Sequence, residues 1–377
     1  MYLDTAATSP VRREALEAAW PFLTGEFGNP SSHHRLGERA AEALDDARAR
    51  VARVLGMRAG DVSFTSSGTE ADNLAVIGIA LASTRGRHLV TSPIEHEAVL
   101  ESADYLRRHH GFEVTLVEVL PDGTVTPQAL RAAVRSDTAV VSLSYANNEI
   151  GTVADVGGLA TVAREHGIPF HTDAVQAAGW LPLADLGADA VTLAGHKVGA
   201  PKGIGVAGIR GRVPVEPLIH GGGQERGRRS GTENVAFAVA LATALELAES
   251  ERTDAAARAA RVRDAFIARV LADAPGAFLT GSSTSRLPNH ASFCFRQTSG
   301  EAVLLELERR GVTASSGSAC AAGSDEPSHV LTALGIEPDL AQTSVRFTFP
   351  ATAEPQHAEA AAAAVAASVT SLASTFR

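Results

Sequence analysis

Ala190-Val191-Thr192-Leu193-Ala194-Gly195-His196-Lys197 reads as a short apolar and β-branched run that ends in a glycine turn, a histidine and a lysine. Lysine occurs only here and at 202, although Lys and Arg together number 33, so nearly every positive charge is carried by Arg. Chemistry that needs a primary side-chain amine therefore has two candidates; the bland alternative is a pair of surface charges. Outward from this stretch, similar runs at 62–65, 88–91, 114–119, 139–144, 169–172 and 205–209 are separated by helix-length stretches. Strands alternating with helices need crossover connections and build a mostly parallel sheet covered on both faces. The expected fold class is α/β with a seven-stranded sheet.

On the N-terminal side, Ser9-Pro10 is expected to open a helix running through Trp20. Ser31-Ser32 then cap a second helix, whose apolar positions Leu36, Ala40, Leu44, Ala47, Val51 and Val54 keep helical spacing until Gly56. Past Gly231 the texture changes to a long Ala, Glu and Arg segment reaching Asp273, read as one or two helices. Behind it come a strand at 289–295, a helix at 300–310, a strand at 312–314, a helix at 328–334, a strand at 343–349 and an Ala-rich final helix. This describes a smaller α+β domain. Because 377 residues exceed the roughly 250 to 300 that one core supports, two domains are expected. The division is 16–255 for the large domain and 1–15 with 256–377 for the small one.

A net charge of −10 and a pI near 5.7 argue against a nucleic-acid surface or an anionic membrane as partner. No uncharged apolar run approaches the ~20 residues that span a bilayer. Tyr2-Leu3-Asp4 follows Met1 without a basic start or apolar core, so no secretory leader is expected and the location is read as cytoplasmic. Two cysteines, Cys294 and Cys320, indicate neither a disulfide framework nor a cysteine-based metal site, and no metal is expected.

Ligands of open α/β sheets gather at the carboxyl ends of the strands. The first strand runs into Ser66-Ser67-Gly68-Thr69-Glu70, a turn that offers backbone N–H groups and hydroxyls to an anion, or simply caps a helix. The second ends at His96, which either faces a ligand or caps the next helix. The fourth delivers Asn147-Asn148-Glu149-Ile150-Gly151, and the fifth Asp173 and Gln176, three apart on a turn so that both face one space. With Lys197 on the sixth, five strands bring a phosphate-type turn, a His, an amide, an Asp and a rare lysine to one edge. That conjunction points to pyridoxal phosphate, held as a Schiff base on a lysine. Lys197 directly ends a strand; Lys202, past Pro201, is read as a loop charge.

With these residues in view the chain resembles the NifS/IscS-type cysteine desulfurases, within the class V aminotransferase group of fold-type I pyridoxal phosphate enzymes. The resemblance runs nearly end to end. It is carried by Tyr2-Leu3-Asp4 with Ala6-Ala7-Thr8, Phe27-Gly28-Asn29-Pro30-Ser31-Ser32, Gly68-Thr69-Glu70-Ala71-Asp72-Asn73, Asn147-Asn148-Glu149-Ile150-Gly151 and Gly195-His196-Lys197. His220-Gly221-Gly222-Gly223-Gln224-Glu225, Arg229-Ser230-Gly231-Thr232, Ser315-Ser316-Gly317-Ser318-Ala319-Cys320 and Ser344-Val345-Arg346-Phe347 extend it. It implies that Lys197 binds the cofactor covalently and moves protons, Asp173 pairs with the pyridine nitrogen, Gln176 bonds the phenolic oxygen and His96 stacks over the ring. Gly68, Thr69 and His196 would hold the phosphate, with Thr232 donated by the second subunit of a homodimer. Asn147 and Arg346 would bind the substrate carboxylate.

The resemblance further implies that Cys320 attacks the sulfur of L-cysteine, taking it as a persulfide for an iron–sulfur scaffold or thiolation protein and releasing L-alanine. Its Ser, Gly and Ala surroundings suit a sulfur-carrying loop, whereas Cys294, in Ser292-Phe293-Cys294-Phe295, is read as structural. Two other readings stand beside this one: a lyase acting on selenocysteine or cysteine sulfinate, for which Cys320 is dispensable, and a sulfur-relay scaffold. The chain departs from the family pattern at Ala194, where many members have a Ser that bonds the phosphate. The site then either manages with one hydroxyl fewer or uses Thr192 or another group. The Arg226, Arg228 and Arg229 cluster reads as an acidic partner's dock or as a solvated loop near the dimer contact.

Overall fold

The β-branched runs pair as expected, because strands buried on both faces leave their side chains nowhere to go but into two helical layers. The structure, a computed structural model, describes residues 1–317 and 326–375, and Cys320 lies outside the described residues. Strands β1 (Val62–Thr65), β2 (His88–Thr91), β3 (Glu113–Leu116), β4 (Thr138–Ser142), β5 (Phe170–Asp173), β6 (Ala190–Ala194) and β7 (Gly205–Ile209) form one sheet in the order β1-β7-β6-β5-β4-β2-β3. The pairs β6-β5, β5-β4, β4-β2 and β2-β3 are parallel, while β7 runs antiparallel to both neighbours. Every strand except the edge strand β3 is fully buried.

The helices of this part are α1 (Arg13–Thr24), α2 (Arg35–Leu55), α3 (Gly68–Asn73), α4 (Ile79–Ala82), α5 (Glu97–His110), α6 (Pro127–Ala133), α7 (Val156–Glu165) and α8 (Val235–Asp273). A π-turn, Leu74–Gly78, joins α3 to α4 without a break in helical backbone. One core packs α1, α2, α7 and the first half of α8 on one face of the sheet, through residues such as Ala19, Leu44, Leu159 and Leu241. The other packs α3, α4 and α5 through Leu74, Ile79, Val99 and Leu106.

The chain then builds a second, antiparallel sheet of β8 (Ala277–Leu279), β9 (His290–Phe295) and β10 (Ser344–Thr348), ordered β10-β9-β8, with α9 (Gly300–Arg309), α10 (His329–Ala333), α11 (Pro338–Ala341) and α12 (Pro355–Thr375) around it. The segment past Gly231 is one helix rather than two, since no Gly or Pro interrupts the 39 residues of α8. At 1.5 Å per residue it runs ~58 Å. It gives Val235 to Ala248 to the first core and Val262, Phe266 and Val270 to a third core around the small sheet, and the expected division at 255/256 falls within it.

Three boundaries differ from expectation. The first helix begins at Arg13, not at Ser9-Pro10, because Ser9 N donates to His196 O (2.9 Å) and Arg12 N to Gly199 O (2.8 Å), tying this stretch to the loop around Lys197. The second is capped by His34, whose Nδ1 accepts from Gly37 N, since Ser32 N is spent on a turn to Asn29 O. The expected strand at 312–314 makes only single bridges. Leu3 lies between it and β10, donating to Thr313 O (2.8 Å) and accepting from Thr348 N (2.7 Å), so the N-terminal segment takes the pairing positions. Leu3 itself is buried in the small-sheet core.

That core turns on Phe266, which meets Phe293, Phe347 and Phe349 edge-on at centroid separations of 5.9, 5.0 and 5.3 Å. Phe266→Ala is expected to cost about 3–5 kcal/mol of unfolding free energy through lost burial and cavity formation, measured by urea denaturation.

Candidate active site

The carboxyl ends of β1, β2, β4, β5 and β6 open into a cavity of about 580 Å³. Gly68, Thr69, His96, Asp173, Gln176, His196, Lys197 and Arg346 all line it, so eight of the eleven residues singled out from the sequence meet there. Asn147 and Thr232 do not line it, and Cys320 lies outside the described residues. Asn147 is buried with its amide committed to the main chain: Nδ2 donates to Ile94 O (2.7 Å), and Oδ1 accepts from Glu149 N (2.8 Å) and Ile150 N (3.0 Å). Its neighbour Asn148 lines the cavity instead. Thr232 is exposed just ahead of α8, and Cys320 is not among the described residues.

Each side chain is set by its local element. Lys197 follows β6 on a single 3-10 turn, Gly195–Lys197, and its Nζ donates to the carbonyls of Ala6 and Ala7. Gln176 Nε2 donates to Ala6 O as well (3.1 Å). Asp173 ends β5, and its Oδ1 accepts from Val175 N (2.8 Å). His96 does both things the sequence allowed: it caps α5, with Nδ1 accepting from Ala98 N (3.1 Å), and lines the cavity. Arg346 reaches in from β10. Its Nη2 donates to Asp4 Oδ1 (2.8 Å) and its Nη1 to Asn148 O (3.0 Å), while its buried Nε has no partner among the described residues.

Beneath the cavity lies a group of acids. Burial raises Asp173 from its ordinary value, against the pull of His96, the Val175 N–H and Lys197. Asp72 is raised further, by burial and then by Asp173, although Thr192 Oγ1 donates to it. Burial pushes Glu95 up to about 8 despite hydrogen bonds from Ser92 and Ser144. Three carboxyls held this far from water favour a cationic partner or a proton. His196 goes the other way, drawn down to about 4 by burial and then by Lys197 and Lys202, so its ring is neutral near pH 7.

Sequence reasoning missed the walls that have no chemical signature. Ala6 and Ala7 contribute only carbonyls, and Asp72, Glu149 and Ser328 reach the cavity through tertiary packing, with Ser328 Oγ donating to Glu149. Asp72, a carboxylate one helical turn past Gly68, and Glu149, in the stretch after β4, did carry a sequence signal. Substitution by Thr192 for the missing hydroxyl at 194 fails: Thr192 is fully buried, with its Oγ1 bonded to Asp72 and 3.0 Å from His171 Nε2. Cys294 is buried and its thiol pushed up to about 12 by burial, the state of an inert packing residue. Among the described residues no group of three His, Cys, Asp or Glu side chains is placed to hold a metal, and no helix is long and apolar enough to cross a membrane.

A family model, Aminotransferase class-V, matches residues 1–359. The chain is similar to a protein of Dictyoglomus turgidum named cysteine desulfurase IscS, with 44% identity over 92% of this chain and 89% of that one. Among solved structures it is similar to one described as a NifS-like protein, with a TM-score of 0.91, 34% identity and coverage of 99% of this chain and 100% of that one. A second, described as SspA in complex with cysteine, gives a TM-score of 0.81 and 34% identity over 93% of this chain and 98% of that one.

His171 sits under this site, fully buried between Ser142 Oγ (2.9 Å) and Thr192 Oγ1 (3.0 Å), and burial lowers it to about 3 from an ordinary 6.5. The folded state thus binds fewer protons than the unfolded chain between those values. Its contribution is full above pH 6.5 and is lost as pH falls toward 3. His171→Gln should unfold more easily at pH 7 yet show a shallower loss of unfolding free energy between pH 6.5 and 4, read by urea denaturation at stepped pH.

Proposed function

The chain belongs to the Aminotransferase class-V family and is a pyridoxal phosphate-dependent cysteine desulfurase, and on that footing we propose the route its sulfur takes: from L-cysteine to Cys320, and from there to an acceptor protein. The observation that supports this most strongly is that a rare lysine amine, a buried carboxylate and a buried arginine line one cavity. The cavity also fits the cofactor. Arg346 has a buried donor without a partner, Asp173 is an acid that burial leaves in want of a cation, and a Cβ on Gly68 would lie only 3.1 Å from Ala194 Cβ and Val175 Cγ2. Gly68 therefore keeps the anion-binding turn close against β6.

Lys197 would hold pyridoxal phosphate covalently, Asp173 would pair with its ring nitrogen, Gln176 and His96 would flank the ring, and Gly68, Thr69 and His196 would meet the phosphate. When bound, the cofactor supplies an electron sink for the substrate's α-carbon. The chain's own groups do the rest. Arg346 binds the substrate carboxylate with the N–H donors left after Asp4 and Asn148 have fixed its plane. Asn147 holds the turn that presents the Asn148 carbonyl to it. Once the substrate amine has displaced it, Lys197 Nζ, with the Ala6 and Ala7 carbonyls beside it, takes and returns the α proton. Because His96 Nδ1 accepts from Ala98 N, a neutral ring carries its proton on Nε2. Cys320, as thiolate, attacks the substrate sulfur: an S–S bond forms, the C–S bond breaks, and L-alanine leaves after protonation. No outside oxidant or reductant is needed.

The working unit is a homodimer in which Thr232 of one subunit completes the phosphate site of the other. Thr232 does not line its own chain's cavity, and α1 exposes Leu16, Trp20 and Leu23 one turn apart, with Phe27 nearby; Trp20 and Phe27 are both 66% exposed. Apolar side chains of that size grouped on one surface mark an interface.

Cys320→Ser should abolish alanine formation from L-cysteine, and mass spectrometry should find one added sulfur atom on Cys320 of the parent enzyme only. Unchanged turnover in the variant rules out the route. Arg346→Ala should lower kcat/KM for L-cysteine at least about hundredfold, chiefly through KM, as expected when one partner of a buried charge pair is truncated.

A further inference from the structure

Ala194 leaves the phosphate end of the cavity without the hydroxyl that the resemblance leads one to expect, and the structure narrows which group replaces it. Thr192, two residues back on the same strand, is spent on Asp72 and His171. Ser66 Oγ donates to Glu70 Oε2, and Glu70 in turn pairs with Arg229 (2.9 Å). Thr65 Oγ1 donates to Ser67 O (2.8 Å). Thr8 Oγ1 is 3.1 Å from His196 Nδ1.

Ser67 remains. It lines the cavity with Gly68, Thr69 and Ala194. Its Oγ accepts from Glu70 N (3.1 Å), which uses a lone pair and leaves the O–H proton, for which there is no acceptor among the described residues. Its backbone is clamped as well. Besides the bond from Thr65, β7 crosses so closely that a Cβ on Gly205 would fall 2.4 Å from Ser67 O. A hydroxyl on so fixed a backbone costs little ordering entropy to place.

We propose that Ser67 donates to the cofactor phosphate and takes over the role of the hydroxyl missing at Ala194, so that the phosphate contact has moved from the end of β6 to the end of β1. This rests on the pyridoxal phosphate reading of the cavity. Ser67 thereby serves two ends at once: its lone pair caps the helix that begins at Gly68, and its proton meets the anion.

The test uses the full-length protein stripped of cofactor and titrated separately with pyridoxal phosphate and with pyridoxal, which lacks the phosphate, binding being read by absorbance and equilibrium dialysis. Ser67→Gly removes the hydroxyl while leaving a residue that starts helices nearly as well. It should weaken pyridoxal phosphate binding by about tenfold or more, the worth of a hydrogen bond to a charged group, and leave pyridoxal binding unchanged. Ala194→Ser added to Ser67→Gly should recover most of the loss. Equal loss for both compounds, or no loss for either, overturns the assignment of Ser67 alone. A parent protein that binds neither compound overturns the cofactor reading and this assignment together.

Discussion

The amine of Lys197 is bonded to the carbonyls of Ala6 and Ala7, and much of the molecule is arranged so that this contact exists. A primary amine beside a cavity needs hydrogen-bond partners, and here they come from outside β6. The N-terminal segment supplies them, and it reaches the site because it is anchored at both ends. Leu3 is pinned between Thr313 and β10, and Ser9 and Arg12 are pinned to the backbone at His196 and Gly199. The same strap carries Asp4 to Arg346. One stretch of a dozen residues thus sets the position of both the amine and the guanidinium, although they come from different sheets.

Charge is distributed around that strap in a way that explains the site's chemistry. Burial raises Asp72, Asp173 and Glu95, and Asp173 raises the other two further, while His171 and His196 are held neutral chiefly by the same lack of water. Such an arrangement is costly in an empty protein, because buried acids gain little from neutral neighbours. A cationic group beside these carboxyls would offset that cost. The residues that destabilise the site are therefore the ones that select its occupant, in keeping with the tendency of perturbed groups to gather where function lies.

Much of this was legible beforehand, for identifiable reasons. The seven strands show as β-branched runs because strands buried on both faces admit few other residues, and the cavity-lining Gly68, Thr69, His96, Asp173, Gln176, His196 and Lys197 follow because those strand ends gather at one edge. Boundaries fared worse where a distant backbone competed for the same hydrogen bonds. Pro10 reads as a helix start, yet Ser9 and Arg12 are drawn to the Lys197 loop. Residues 312–314 read as a strand, yet the N-terminal segment occupies the pairing positions. Asn147 and Asn148 were equivalent on paper, and only the turn decided that the first is sealed into the main chain while the second faces the cavity.

By itself the sequence determined the fold class and the family, and marked Lys197 as a rare amine at a strand end, because composition, periodicity and order along the chain are local properties that carry those signals. What tertiary structure alone decided is which groups remain available. A hydroxyl, an amide or a carboxyl has the same name whether spent or open, and its state depends on partners far along the chain. Thr192 is spent on Asp72, 120 residues away, and Arg346 is steadied by Asp4, 342 residues away. Ser67 keeps a proton to give.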